Sequence, residues 1–172
     1  MKAKGGCDLR VRIRQAHPKE AATLSALSMR SMQSNGYDDA FMEACCKELL
    51  ITEQHFETRA YWAAEAKGIV GVIGLEPDTD GPSGEVCALF VAPDQKRQGL
   101  GRLLWDHLIG QAKAKGLHCV WLDADPAAVP FYEALGLRTV KAVPSRSIAG
   151  RVLPQMVFDL GEDPDGHGQT VR

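Results

Sequence analysis

Hydrophobic positions recur along this chain with two periods, and the switches between them mark its elements. Leu9, Val11 and Ile13 alternate with Arg10, Arg12 and Arg14, which predicts a half-exposed strand over residues 9–14. Pro18 then opens a helical pattern (Ala21, Leu24, Leu27, Ser28, Ser31) that runs to Gln33. Ser34-Asn-Gly-Tyr37 reads as a loop. Asp38 or Asp39 is placed to cap a second helix through Leu50, with Phe41, Cys45 and Leu49 on one stripe, and Thr52 to cap a short turn carrying His55 and Phe56. Residues 61–66 and 69–75 read as a hairpin around Lys67-Gly68, and a polar Asp/Gly/Pro loop leads to an apolar strand over 85–91. Leu103, Leu104, Leu108, Ile109 and Ala112 restore helical spacing over 99–115, with Gly116 suited to the position just past the end. Residues 119–123 form a further strand, parallel to 85–91 because a helix crosses between them. Asp125-Pro126 resembles an N-cap followed by proline, but Pro130 requires a kink there or a start near Val129. Residues 137–142 and 151–160 are the last strands, joined by a loop through Pro144 and Gly150.

The junction between strand 85–91 and the following helix carries the first chemical signal. Pro93 ends the strand, a basic loop follows, and Gly99-Leu-Gly101 leads into the helix. Glycines let backbone approach a bound group, and the free N–H groups of a first helical turn favour an anion. This is a way to hold phosphate or pyrophosphate by main chain, although a plain turn before a surface helix gives the same pattern. A Walker A loop fits worse, because Arg102-Leu103 follow Gly101, and so does a Rossmann fingerprint, because Leu104 stands at its third glycine.

Composition narrows the setting. The 172 residues suit one domain over 9–160, with a leader over 1–8 and a Gly/Asp-rich, disordered tail over 161–172. A net charge of −2 gives no field for nucleic acid, and no apolar run is long enough for a membrane span. The N-terminus lacks the apolar core of a secretory signal. Five cysteines, odd in number and without a CxxC pair, point to a reducing cytoplasm, with Cys87 and Cys119 as buried thiols. No His/Cys/Asp spacing resembles a zinc site, so no metal is expected. His107 and His118 read as surface groups, and Trp62, Trp105 and Trp121 as packing.

Two stretches together resemble the GNAT acetyltransferase superfamily. Lys96-Arg-Gln-Gly99-Leu-Gly101, after a strand ending in Val91-Ala-Pro93, looks like that family's acyl-CoA loop. Asp125-Pro-Ala-Ala128-Val-Pro-Phe131-Tyr132-Glu-Ala-Leu135-Gly136 is similar to its second motif. The likeness covers residues 9–160 and is strongest over 85–137. It implies an α/β (α+β) fold: a mixed, mostly antiparallel central sheet of about seven strands, helices on both faces, and a parallel pair, 85–91 and 119–123, that splays apart. Acetyl-CoA, as cosubstrate, would enter the splay. Its pantetheine would pair with the strand edge at Leu89, Phe90 and Val91, and its pyrophosphate would meet Lys96, Arg97, Gln98, Gly99, Leu100, Gly101 and Arg102. Asp125, Ala128 and Phe131 would complete the cofactor site. Lys96 replaces the usual Gln or Arg and Asp125 the common Asn, which puts a side-chain amide contact at 125 in doubt.

The same resemblance implies N-acetyl transfer by direct attack, with Tyr132 as proton donor to the leaving thiolate and Glu85 as base, directly or through water. A main-chain N–H near Phe90 or Val91 would hold the oxyanion. Packed or solvated roles for Tyr132 and Glu85 are the alternatives. The acceptor, a small-molecule amine or a peptide, is expected between the loop 34–37, the start of the second helix and the loop 143–151. Asp38, Asp39 and Glu85 would attract a cation; Ser145, Arg146 and Ser147 would suit an anion. A non-catalytic acyl-CoA-binding module is a third reading, and relatives that pair through sheet edges lean toward a homodimer.

Overall fold

The computed structural model describes residues 10–161. The expected leader with Cys7, Leu9, and the expected tail after Gly161 lie outside the described residues. One seven-stranded sheet runs in the order β1-β2-β3-β4-β5-β7-β6. Its strands are β1 (Arg12–Gln15), β2 (Ala60–Glu65), β3 (Ile69–Pro77), β4 (Ser83–Val91), β5 (Cys119–Asp123), β6 (Arg138–Pro144) and β7 (Val152–Asp159). Every neighbouring pair is antiparallel except β4–β5. That exception follows from α3 (Leu100–Ala114), which carries the chain from the end of β4 back to the start of β5.

Helices cover both faces. Leu104, Trp105, Leu108 and Ala112 of α3 pack with Ile73, Val86, Val120 and Met156 on one side. On the other, Leu24 and Leu27 of α1 (Ala21–Gln33) meet Tyr61, Val72 and Ala88. The helix α2 (Asp39–Leu49) adds Met42, Cys45 and Leu49, and Asp38 caps it by accepting from the Phe41 amide at 2.9 Å. Ser25, buried in α1, bonds both the amide and the carbonyl of Ile51 and so fixes the chain leaving α2. Pro18 opens a short 3-10 turn rather than α1 itself. The difficulty at Pro130 is resolved in the same way: residues 126–128 form a 3-10 turn, and α4 (Val129–Ala134) begins just before Pro130, where a missing N–H breaks nothing.

One expectation is corrected. His107 is not a surface group: its ring stands edge-on to Trp62 at 5.5 Å, and burial holds it below the usual histidine range. A feature of more consequence for the site is that β4 does not alternate regularly. Its register with β3 passes from Ala88↔Gly74 to Val86↔Leu75, leaving Cys87 unpaired in a β-bulge. Val86 therefore faces α3, Ala88 and Phe90 face α1, and Leu89 and Val91 return to the α3 side. Gly74 makes the room: a Cβ there would stand 2.8 Å from the Cys87 sulfur and 2.7 Å from the Tyr61 ring. Among the described residues, no helix is long and apolar enough to cross a membrane.

Candidate functional site

The parallel pairing is short. Only Ser83, Gly84 and Glu85 of β4 find partners on β5, opposite Cys119, Val120 and Trp121. Beyond them the strands diverge, and residues 86–91 present an edge with no strand partner on that side. A cleft of about 720 Å³ fills the gap. Its floor is β4 from Val86 to Val91, one end is the loop at residues 95–102, and its far wall carries Asp123, Asp125, Ala128, Phe131 and Tyr132.

The loop is shaped for main-chain contact. Arg97 holds a left-handed backbone with φ of 63°, uncommon for a residue with a side chain, and Gly99 follows at 82°. Around Gly99 the space beside the backbone is open, so conformation alone demands glycine there. At Gly101 the demand is steric, since a Cβ would come within 3.0 Å of Phe131. The free amides of the first turn of α3 open toward the same space. Lys96 borders the cleft, but its ammonium is engaged elsewhere. It donates to the Ser31 carbonyl (2.9 Å), the Ser34 hydroxyl (2.7 Å) and the Asn35 side-chain carbonyl (3.0 Å), closing the C-terminal end of α1.

Of the fifteen residues singled out from sequence, the cleft wall gathers all but Glu85 and Gln98. The exposed Gln98 amide donates to the Asp94 carbonyl at 3.3 Å. Glu85 lies one step behind the splay, on the α1 face of the sheet beside Glu76 and Trp121. Its carboxylate is 3.6 Å from the Arg146 guanidinium, which also stands 3.9 Å from Asp123. Burial raises the Glu85 pKa above the ordinary carboxylate range; the Arg146 cation opposes that rise and the Asp123 charge adds to it. Tyr132 is buried against Trp105 and Phe131. Burial first, then the Asp125 charge, holds its phenol well above its usual pKa, so it remains protonated.

The side expected to take the acceptor assembles residues that no local pattern joined. The Tyr37 hydroxyl shares its single proton between the two oxygens of Asp125, at 2.6 and 2.8 Å, and receives a hydrogen bond from Arg151 at 3.1 Å. Asp125 also accepts from the Ala127 amide at 2.8 Å, as the expected cap, and stands 3.5 Å from Arg151. Its carboxylate thus serves this cluster, in place of the amide that the resemblance placed there. The Tyr37 and Phe41 rings stack at 4.0 Å, and the Arg151 guanidinium lies over both. Asp38 and Asp39 are turned to other ends, the first as a cap and the second as acceptor from Gln33. Tyr37, Asp123 and Arg151 were outside the residues singled out as catalytic or cofactor-binding; proximity to the loops 34–37 and 143–151 was the available signal.

A diverging parallel pair, a bare strand edge and a glycine loop at a helix start define a fold that seats an extended, amide-bearing carrier ending in phosphate. The chain belongs to the acetyltransferase (GNAT) family, whose model matches residues 26–137. It is 45% identical over 51 residues to the [ribosomal protein bS18]-alanine N-acetyltransferase of Escherichia coli strain K12, a match covering 28% of this chain and 34% of that one. It is 36% identical over 93 residues to the mycothiol acetyltransferase of Thermobispora bispora, covering 49% of this chain and 32% of that protein. The chain thus matches about a third of the length of these curated relatives. Its fold is similar to the crystal structure of the Escherichia coli bS18-alanine enzyme, with a TM-score of 0.68 at 19% identity, covering 91% of this chain and 98% of that one. A Thermoplasma acidophilum PaiA N-acetyltransferase in complex with coenzyme A is similar at a TM-score of 0.69 and 17% identity, covering 87% and 99%.

Proposed function

We propose that this chain is an acetyl-CoA-dependent N-acetyltransferase acting on the primary amine of a small molecule. The observation that carries the reading is the β4–β5 splay, with an unpartnered strand edge on its floor, left-handed Arg97 and Gly99 at one end and Tyr132 on its wall. The residues present fit the carrier. Residues 89–91 offer edge amides and carbonyls to a pantetheine arm, the amides of residues 97–102 suit a diphosphate, and Gly101, Ala128 and Phe131 leave it a narrow seat.

In this reading the acceptor nitrogen attacks the thioester carbonyl carbon and the carbon–sulfur bond breaks. Glu85 takes the ammonium proton, directly or through water, which its raised pKa suits better than an ordinary carboxylate. A main-chain N–H near Phe90 or Val91 stabilises the oxyanion. Tyr132 returns a proton to the departing thiolate. Glu85 and Asp123, held around the Arg146 cation, support a cationic amine as acceptor. A peptide N-terminus is the second reading, supported by the alanine N-acetyltransferase named among the relatives.

The test is thiol release from acetyl-CoA with a panel of alkylamines, polyamines, amino acids and alanine-ended peptides. Amine-dependent release is expected. Absence of release with every acceptor, together with no coenzyme A binding by calorimetry, overturns the proposal; binding without release would mark a carrier-binding module.

A further inference from the structure

Glu85 stands in a row of charges that crosses the sheet. Glu76 of β3 is its direct partner in register. Their chain neighbours Leu75 and Val86 are buried on the α3 side, so both glutamates turn to the opposite face. Residues directly opposite on one face have Cβ atoms about 5 Å apart, and like charges there repel. Arg59, just before β2, holds Glu76 from its other flank: its Nε donates to one carboxylate oxygen at 2.7 Å, and the Thr58 hydroxyl donates to the other at 3.3 Å. Beyond Glu85, the Arg146 cation is shared with Asp123. Glu76, Glu85 and Asp123 thus lie between two guanidiniums, one negative charge in excess, which an acceptor ammonium would balance. The side chains of Arg59, Glu76 and Glu85 are 28%, 29% and 22% exposed, so water screens these charges only in part. Cys87 of β4 and Tyr61 of β2 also face the row; burial raises both pKa values and keeps both groups uncharged at neutral pH. His55, beside Arg59, is held below its usual range by burial.

We propose that the Glu76–Arg59 ion pair governs the proton affinity of Glu85. Both are positioning residues, which act through Glu85 and need not touch the substrate. The inference rests on the reading of Glu85 as base in N-acetyl transfer and deepens it. Glu76 supplies a charge that favours a proton on Glu85, and Arg59 offsets that charge. Burial is the first cause of the raised Glu85 pKa; among the charges, Arg146 and Arg59 oppose the rise, and Asp123 and Glu76 add to it. With Arg59 removed, Glu85 would keep its proton to higher pH. With Glu76 removed, it would be a weaker base toward an ammonium.

The experiment uses the full chain: wild type, Glu76→Gln, Arg59→Met, Arg59→Lys and the double variant Glu76→Gln/Arg59→Met. Glu76→Gln keeps the shape of the side chain and an oxygen for Arg59, so it decides the proposal alone if Arg59→Met does not fold. Carboxyl-carbon NMR of glutamate-labelled protein follows the titration of Glu85, assigned by the resonance lost in Glu85→Gln, and needs no substrate. Glu85 is expected to titrate at lower pH in Glu76→Gln, at higher pH in Arg59→Met, between the two in the double variant, and close to wild type in Arg59→Lys, which keeps the charge. No movement in Glu76→Gln, movement of both neutralising variants in one direction, as a packing disturbance would give, or equal movement in Arg59→Lys and Arg59→Met overturns the proposal. The acid limb of acceptor kcat/KM, measured with the panel amine that gives the fastest thiol release, is expected to follow the same directions. A limb that stays while the carboxyl titration moves supports the pair's hold on Glu85 and fails Glu85 as the base. A wild type that releases no thiol with any amine fails the transfer reading itself, and both results are distinct from an unmoved titration.

Discussion

The two ends of the cleft are built from different materials. At the carrier end the chain offers backbone: an unpaired β4 edge, left-handed Arg97 and Gly99, and a helix start. The Lys96 ammonium is turned away to close α1. At the end expected to take the acceptor the chain offers side chains in dense mutual contact, reaching the cleft through Asp123 and Asp125: Tyr37, Phe41, Asp125 and Arg151 in one cluster, Glu85, Asp123 and Arg146 in another. Backbone recognition suits a ligand whose amides and phosphates are always the same. Side-chain recognition suits a ligand that differs between relatives, because side chains change without moving the strands. The matched family model over residues 26–137 spans most of the carrier end but stops short of Arg146 and Arg151.

Three substitutions sharpen this contrast. Tyr132→Phe removes the proposed proton donor, on the cleft wall. It is expected to lower kcat about 10²-fold, with coenzyme A affinity by calorimetry within about twofold. Equal turnover would leave Tyr132 a packing residue. Gly99→Ala acts on the carrier end alone: a side chain at φ of 82° strains the loop. Coenzyme A affinity is expected to fall about tenfold, the effect of 1–2 kcal/mol, with acceptor preference unchanged. Arg146→Met acts on the acceptor end. With Glu85 as the proposed base, transfer requires its ionised form, so activity is expected to fall as pH drops through its raised pKa. Arg146 opposes that rise, so removing it moves the acid limb of the acceptor kcat/KM profile to higher pH. Because the Arg146 side chain is 63% exposed, solvent screening keeps the shift small. A shift to lower pH would show that Glu85 is not the group titrating.

The same division explains what could be read from sequence. Carrier-end features are local in the chain: Pro93, Gly99, Gly101 and the start of α3 fall within ten residues, and β5 lies over the expected 119–123. The two halves of the acceptor cluster are remote, with Tyr37 and Asp125 separated by 88 positions and Tyr37 and Arg151 by 114. Periodicity carries no information about such pairs. Asp125 was legible as a cap, because capping is a matter of neighbours; its pairing with Tyr37 depends on how two loops fold over a sheet. The bulge at Cys87 was hidden for a related reason. Its cause lies on other strands, in Gly74 and the Tyr61 ring, and a run of apolar residues looks the same with or without a slipped register.

That slip makes β4 serve two cores in turn. Up to Val86 its inward residues belong to the α3 side; from Ala88 the phase is inverted, and Phe90 reaches the layer shared by α1 and α2. A strand of this kind accepts exchange of one apolar residue for another far more readily than a change in its own length. Removing or adding a single position between 86 and 91 would turn every later side chain to the opposite face, and with them the orientation of the edge on which the carrier is to lie.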